Sequence, residues 1–433
     1  MRLKSLSLTA IAFASAICAS AMPWSLDSCI NYALEHNIQI KRQALNRHNA
    51  ELSVTEAKDA FLPQLHAGAD QSFNFGRGLT SDNTYANRNT SQFGWSVSLS
   101  LPLFQGLSAV RRLDYSRTYL SMITQQCEAA KDDVTINVIA QYLQVLYSRE
   151  MLSVAREQVH MSEIEYSRRQ ELLDAGKIPE LDLIQAESQL AQDKLTEVNS
   201  QNDYATALLD LAQLLQLPST EDFDVLPVDD CTDTPLSAQE VYRNALSINH
   251  SLSAARMTIK AAEKNISVAK TGYIPRLSFN AGLGSSYYNL SGETTPPFHR
   301  QMRDNFNKSL GFSLSIPIFD AFSTRNSVRK AEVQRLAAEL DYEDACNSLY
   351  KSIQQAYQQA TAALDKQTAS RIACSATKSA LEAMTEKYNY GRANATEYEQ
   401  AKSDYIKASS QAVQAKYEAM LRMRILRFYN ENR

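Results

Sequence analysis

Gln92-Phe93-Gly94-Trp95-Ser96-Val97-Ser98-Leu99-Ser100-Leu101-Pro102-Leu103-Phe104 is the stretch that decides the fold. Phe93, Trp95, Val97, Leu99, Leu101 and Leu103 alternate with glycine, serine and proline. A period of two gives a β-strand with one apolar face and one small, polar face. Leu310, Phe312, Leu314, Ile316 and Ile318 repeat the pattern against Ser309, Gly311, Ser313, Ser315 and Pro317. Leu65 to Phe75 and Leu277 to Tyr287 are the expected partners, giving two hairpins with polar connections near Arg77 to Thr90 and Asn289 to Lys308. Strands of roughly 11 to 13 residues tilted about 40° rise roughly 27 to 32 Å, enough to clear the apolar band of a membrane barrel, about 25 Å tall. The smallest such barrels have about eight strands, and an open edge in lipid leaves backbone groups unpaired. Four strands per chain therefore call for several chains around one barrel. A small soluble sheet packing its apolar face on helices alternates in the same way and stays open as the other reading.

Outward from the strands the chain is nearly free of helix breakers. Usage of about 7% Gly and 5% Pro would give roughly 50 such residues, and the chain has 12 and 11. Segments without either run from Trp24 to Leu62, Leu107 to Ala175, Glu180 to Leu217, Leu236 to Thr271, Ile318 to Tyr390 and Arg392 to Arg433. The order medium, long, medium occurs twice, which is the mark of a tandem duplication. Ala57-Lys58-Asp59-Ala60-Phe61-Leu62-Pro63-Gln64-Leu65 corresponds to Ala269-Lys270-Thr271-Gly272-Tyr273-Ile274-Pro275-Arg276-Leu277, Leu101-Pro102-Leu103-Phe104 to Ile316-Pro317-Ile318-Phe319, and Gly176 to Gly391. Leu349, Ile353, Ala356, Ala360 and Ala363 advance in steps of four and three, a coiled-coil seam narrow enough for close helix approach. About 65 helical residues reach roughly 100 Å, against a radius of gyration near 22 Å for a compact globule of this length. The molecule is expected to be elongated, with hairpin tips at the glycines. The domain plan is a signal segment at 1–21, a first repeat at 22–218 with hairpin 64–104 and tip 175–179, a linker at 219–235, and a second repeat at 236–433 with hairpin 276–319 and tip 390–394.

Composition removes other classes. With 44% hydrophobic and 21% charged residues the chain is not disordered, and no run of about 18 apolar residues marks a spanning helix. Arg2 and Lys4, the apolar run Leu6 to Ala16 and Ala19-Ser20-Ala21 have the form of a cleaved secretory signal. Its loss takes the net charge from −4 to −6, with no basic patch for nucleic acid. Ile17 before Cys18 disfavours lipid attachment. Cys29, Cys127, Cys231, Cys346 and Cys374 are odd in number and far apart, without CxxC spacing. No HExxH, GxSxG, Walker or complete GxGxxG pattern occurs. The expectation is no enzyme, no cofactor and no metal site.

These landmarks, with Phe61-Leu62-Pro63, Tyr273-Ile274-Pro275 and the two strand-end motifs, resemble the TolC-like outer-membrane efflux proteins over essentially the whole mature chain. The resemblance implies a mainly α fold with a β-barrel portion. It further implies a homotrimer whose twelve-stranded barrel sits in outer-membrane lipid and continues as an α-helical tunnel across the periplasm. It implies a passive duct for efflux or type I secretion, served by a periplasmic adaptor and an inner-membrane transporter. The adaptor-docking tips would be Ala175-Gly176-Lys177-Ile178 and Tyr390-Gly391-Arg392-Ala393, and Pro63, Pro102, Pro275 and Pro317 would mark the helix–strand junctions. The gate positions would be Asp182, Tyr388, Glu397 and Gln400, although Gln400 stands where relatives carry a second acid and Ala393 where some carry a basic residue. Arg392 stands beside that position. The residues themselves leave another reading open: Asp182 lies in a first helical turn, and Asn394 with Glu397 fits a capping box. Tyr388 could equally pack in the seam. A periplasmic coiled-coil scaffold or adaptor-type protein is the competing functional class.

Overall fold

The structure is a computed structural model that describes residues 23–79, 83–87, 89–219, 223–228, 236–292 and 294–431; the expected signal segment and Cys231 lie outside these. The helices are α1 (Leu26–His36), α2 (Ile38–Asp59), α3 (Ser108–Asp174), α4 (Glu180–Leu215), α5 (Ala238–Ile248), α6 (His250–Lys270), α7 (Phe298–Asp304), α8 (Ser323–Asn389) and α9 (Ala395–Glu431). The strands are β1 (Gln64–Asn74), β2 (Arg77–Leu79), β3 (Tyr85–Asn87), β4 (Thr90–Phe104), β5 (Arg276–Leu290) and β6 (Asn307–Ser315). Both α3 and α8 contain 67 residues, about 100 Å each at 1.5 Å per residue.

Three details depart from the sequence reading. The first medium segment of each repeat is two helices, broken at Asn37 and Asn249 without glycine or proline. The Asn249 carboxamide oxygen caps α6 by accepting from Leu252 N at 2.9 Å, and Asn37 Oδ1 accepts from Gln39 N at 2.8 Å. Asparagine offers a side-chain oxygen to orphan helix donors, so it ends one helix and starts the next without a breaker. The polar connections hold the β2–β3 ribbon and α7. The last strand stops at Ser315, so Ile316 to Phe319 are not in the sheet.

Two compact units are formed, one from residues 1–40, 131–245 and 352–433 and the other from 41–130 and 246–351, so each draws on both repeats. In the first unit the core gathers Leu26, Cys29, Val138, Leu146, Leu211 and Met420. Tyr142 is fully buried there, with its hydroxyl 2.9 Å from Trp24 O and 2.7 Å from Leu226 O. It thereby holds the segments that meet in the parallel bridge between Trp24 and Val225, and burial pushes its phenol up to about 12. Ile353, Ala356, Ala360 and Ala363 are buried along α8, the small-residue seam that the 3-4 spacing predicts.

The second unit carries a four-stranded antiparallel sheet in the order β1-β4-β5-β6. The register puts Ala67, Val97 and Leu283 on one level of one face, and Leu65, Leu99, Ala281 and Leu310 on the next. His66, Ser98, Gly282 and Ser309 share the other face. Among the described residues β1 and β6 each have a strand neighbour on one side only. Pro63 and Pro275 stand directly before β1 and β5 and Pro317 lies just past β6, while a register shift between Pro102 and Phe104 bends the end of β4. Proline has no N–H to give to a ladder and suits strand ends. Between sheet and long helix the two repeats share a backbone device: Gly106 and Leu107 have φ of 60° and 64°, and Ala321 and Phe322, at the matching places, 52° and 65°.

Candidate functional site

The site is built at the helix-hairpin ends of the first unit. α3 ends because Gly176 takes φ +70°, which lets its N–H reach Leu173 O and the Lys177 N–H reach Leu172 O, both at 2.8 Å. α8 ends the same way, with Gly391 at φ +68° and bonds from Gly391 N to Tyr388 O and Arg392 N to Lys387 O. This paired termination satisfies the last carbonyls and turns the chain sharply. Ala175, Gly176, Lys177, Tyr390, Gly391 and Arg392 are exposed, with Ile178 and Ala393 half-buried. A β-carbon added at either glycine meets nothing within 4 Å, so both tips face open space.

The return helices are capped differently. Pro179 precedes α4 without a side-chain cap, and Glu180 and Asp182 place two carboxylates in its first turn, where the helix dipole favours negative charge. At α9 the Asn394–Glu397 capping box is formed: Glu397 N donates to Asn394 Oδ1 at 2.8 Å and Asn394 N to Glu397 Oε2 at 3.0 Å. Gln400 donates to Asp404 one turn along the same helix at 3.1 Å. Glu397 and Gln400 therefore spend their polar atoms locally.

Tyr388 does not. Its hydroxyl donates to Glu165 Oε1 of α3 at 2.8 Å, its ring stacks on Tyr398 with centroids 4.9 Å apart, and the Arg168 guanidinium lies 4.1 Å from its centroid. Arg168 also donates to Tyr388 O at 3.1 Å and to Asn389 Oδ1 at 2.9 Å. Buried Arg169 gives Nε to Glu165 Oε1 at 2.7 Å, a terminal nitrogen to Asp182 O at 3.1 Å, and another that pairs with Glu399 at 3.6 Å. Arg169 is how Asp182 joins the cluster, through its backbone carbonyl. Glu165, Arg168 and Arg169, within about one turn of α3, thus tie α4, α8 and α9 together. Burial works against the Arg169 charge, but Glu165 outweighs it and holds the guanidinium above its usual range. Burial, then the bond to Glu165, raises the Tyr388 phenol, and burial pushes Tyr398 up to about 12.

Behind this layer lies a second. Asp193 of α4 and Lys402 of α9 are 1% and 3% exposed. Lys402 Nζ is 2.5 Å from Ser162 Oγ and 3.8 Å from Asp193 Oδ2. Asp193 accepts from Ser162, from Gln158 at 2.6 Å and from Gln189 at 2.8 Å. Farther along, Tyr405 donates to Glu157 at 3.3 Å, and Lys416 and Tyr417 reach Glu150 at 3.1 and 2.7 Å. A ladder of polar links therefore runs between α3 and α9. Glu165, Arg168, Arg169, Ser162, Asp193, Lys402, Tyr398 and Glu399 were not among the sequence candidates. Glu165 and Arg169, four apart on α3, carried the one local hint.

The fold, the glycine-ended hairpins and the four strands match a known family model, outer membrane efflux protein, over residues 29–216 and 241–427. The chain belongs to that family. It is 23% identical to outer membrane protein TolC of Escherichia coli over 89% of this chain and 78% of that protein. It is 22% identical to the alkaline protease secretion protein AprF of Pseudomonas aeruginosa over 92% and 82%. The structure of the Campylobacter jejuni CmeC outer membrane channel superposes with a TM-score of 0.77 over 94% of this chain and 86% of that one, at 16% identity, and shares the fold. This efflux protein is accordingly an outer-membrane component of an efflux or secretion system, from a family of channels.

Proposed function

We propose that the efflux protein is one of three identical chains forming a passive exit duct, with a shared twelve-stranded barrel above a periplasmic helical tunnel. The carrying observation is the sheet: β1 and β6 have free edges, and Leu310, Phe312 and Leu314 lie exposed on the apolar face. Leaving side chains of this kind in water forgoes about 1.5 to 3 kcal/mol each, and leaving strand edges unpaired in lipid costs several kcal/mol per group. Neighbouring copies and lipid remove both costs together. The helices support the same reading. On α4, Leu181, Ile184, Ala191, Leu195, Val198 and Leu209 follow 3-4 spacing and are exposed, while Ala186, Ala207 and Leu211 on another face are buried. An exposed seam of this kind fits a helix of another copy.

The tips at Gly176 and Gly391 would dock a periplasmic adaptor that couples the duct to an inner-membrane transporter, with Tyr388 and Asp182 at the gate. The duct performs no chemistry; passage through a wet lumen needs few specific contacts. Light scattering, corrected for detergent, on particles extracted from isolated outer membranes is expected to give three copies. A monomer in the soluble periplasmic fraction would remove the barrel and leave a scaffold.

A further inference from the structure

The polar connection after β5 holds α7, which the sequence pattern does not show. β6 pairs with β5 only up to the level of Gly284, so Ser285 to Leu290 lack a neighbour on that side. α7 and its flanks fill the place. Gln301 gives Nε2 to Tyr288 O at 2.9 Å and accepts from Tyr288 N at 3.0 Å, and Asn305 Nδ2 donates to Ser286 O at 2.7 Å. Side-chain amides thus replace the missing strand. The helix also crosses onto one face of the sheet: Phe298 lies 5.6 Å from Phe93 and 5.2 Å from Tyr287, Phe306 lies 6.2 Å from Trp95, and Ser285 Oγ donates to Met302 O at 2.7 Å. By the register, Phe93, Trp95, Ser285 and Tyr287 belong to the face of Val97, Leu283, Leu310 and Phe312, which faces lipid in the barrel reading.

The level is decided by composition. Along that face β6 reads Lys308, Leu310, Phe312, Leu314, with Lys308 Nζ 5.6 Å from the Phe306 centroid. A lysine on a lipid-facing row belongs where the apolar band ends, its ammonium at headgroup level, here over the Phe306 ring. Phe93, Trp95, Tyr287, Phe298 and Phe306 supply the aromatic girdle expected at such a boundary. Above them stand Arg300 and Arg303, with side chains 64% and 77% exposed. Both direct Nε to the one carboxylate of Asp304, at 3.5 and 3.0 Å. Asp304 sets the two guanidinium groups side by side, and no partner among the described residues engages their terminal nitrogens. Hydrogen bonding from Arg303 holds the Asp304 carboxyl below its usual range. Two guanidinium groups with one intervening carboxylate leave a net positive donor set of the kind that takes phosphate.

We infer that α7 is an interfacial element of the outer leaflet, sunk at Phe298 and binding phosphorylated lipid headgroups through Arg300 and Arg303. This rests on the barrel reading above. The purified protein is reconstituted in phosphatidylcholine nanodiscs with bisphosphorylated lipid A, and retained lipid A is counted by native mass spectrometry. Arg300→Ala/Arg303→Ala is expected to lower retained lipid A about tenfold with the oligomer mass unchanged, while Arg329→Ala on α8 leaves it as in the wild type. Equal retention in the double variant overturns the headgroup site. Depth is read in the Trp95→Phe background by quenching of Phe298→Trp and Phe312→Trp with chain-brominated phosphatidylcholine. Quenching at both positions is expected. Quenching at 312 alone overturns this inference and leaves the barrel standing; quenching at neither overturns the barrel and this site with it.

Discussion

Removing one member of the Asp193–Lys402 pair measures what the polar ladder contributes. Both groups are almost fully buried, so water cannot screen what is left behind. In Lys402→Met the Asp193 carboxylate keeps Ser162, Gln158 and Gln189 but loses its cation; in Asp193→Leu the Lys402 ammonium keeps Ser162 and the more exposed Glu399, 3.7 Å away. Stranding one buried charge costs about 3 to 5 kcal/mol, whereas replacing both partners by apolar residues is near neutral or stabilising. The double variant Asp193→Leu/Lys402→Met also leaves the buried Ser162 hydroxyl to turn back to its own helix backbone and the Gln158 and Gln189 amides to water, about 1 to 2 kcal/mol in all. Each single variant should therefore lie about 3 to 5 kcal/mol below the wild type and the double within about 2 kcal/mol of it, a strongly non-additive cycle. The assay is guanidinium unfolding of the detergent-solubilised protein followed by helical circular dichroism. Additive losses below about 1 kcal/mol per variant, the worth of an exposed pair, would refute the buried-clamp reasoning.

Other outcomes follow from the same geometry. Gly391→Asp places a side chain in open space at a strained φ costing about 1 to 2 kcal/mol, so the protein should still reach the membrane while export in a resistance or secretion assay is lost; normal export would remove Gly391 from the proposed docking site. Ala321→Gly relieves a left-handed residue at φ 52° and should raise stability by about 1 kcal/mol. Gly106→Ala should lower stability, because its β-carbon would lie 2.9 Å from Ile274 Cβ. The phenols of Tyr142 and Tyr398 are raised from 10.0 to about 12. The unfolded chain therefore releases those protons first as pH rises, and the stability they contribute is whole below pH 10 and lost towards pH 12. Tyr142→Phe and Tyr398→Phe should each flatten that alkaline loss in a melting-temperature profile. An unchanged profile would mean these phenols titrate alike in both states.

What could be read from the sequence was what local chemistry controls. Gly176 and Gly391 are legible because a left-handed residue is needed to close the helix end, and the Asn394–Glu397 box because its partners are three residues apart. The strands are legible by their period of two. The breaks at Asn37 and Asn249 were hidden because asparagine is tolerated in helices and only its environment makes it a cap. α7 was hidden because a single turn or two shows no amphipathic period; its seat on Phe93 and Tyr287 comes from tertiary contact. The α3 partners of Tyr388, Glu165 and Arg168, lie more than 200 residues away, and no spacing rule connects them. Asp193 and Lys402, amid Gln192, Lys194 and Asp404, read as parts of solvated faces.

The duplication explains why the landmarks repeat while the ladder does not. α3 and α8 have equal length and matching ends, so each α3 residue has a counterpart 215 positions on. Where the first repeat has Glu165, Arg168, Arg169 and Asp193, the second has Ala380, Ala383, Met384 and Ala408; where the second has Tyr388, Tyr398 and Lys402, the first has Leu173, Leu183 and Glu187. Two identical hairpins would face like with like, and buried like charges repel. Divergence has instead placed Glu165, Asp193 and the arginines on one hairpin, and the phenols and the buried ammonium on the other. Each chain then closes on itself in one register, since a shift of one turn strands Lys402 from both Ser162 and Asp193. It follows that grafting Glu165, Arg168 and Arg169 onto positions 380, 383 and 384 cannot build a second latch, because Leu173 and Leu183 offer no phenol to receive it. Ala380 and Ala383 are exposed and Met384 is half-buried against the Leu381 cluster, so an Ala380→Glu/Ala383→Arg/Met384→Arg variant should lose no more than about 1 kcal/mol, the Met384 contact alone, and a clear gain in stability would show that a second latch forms without a phenol.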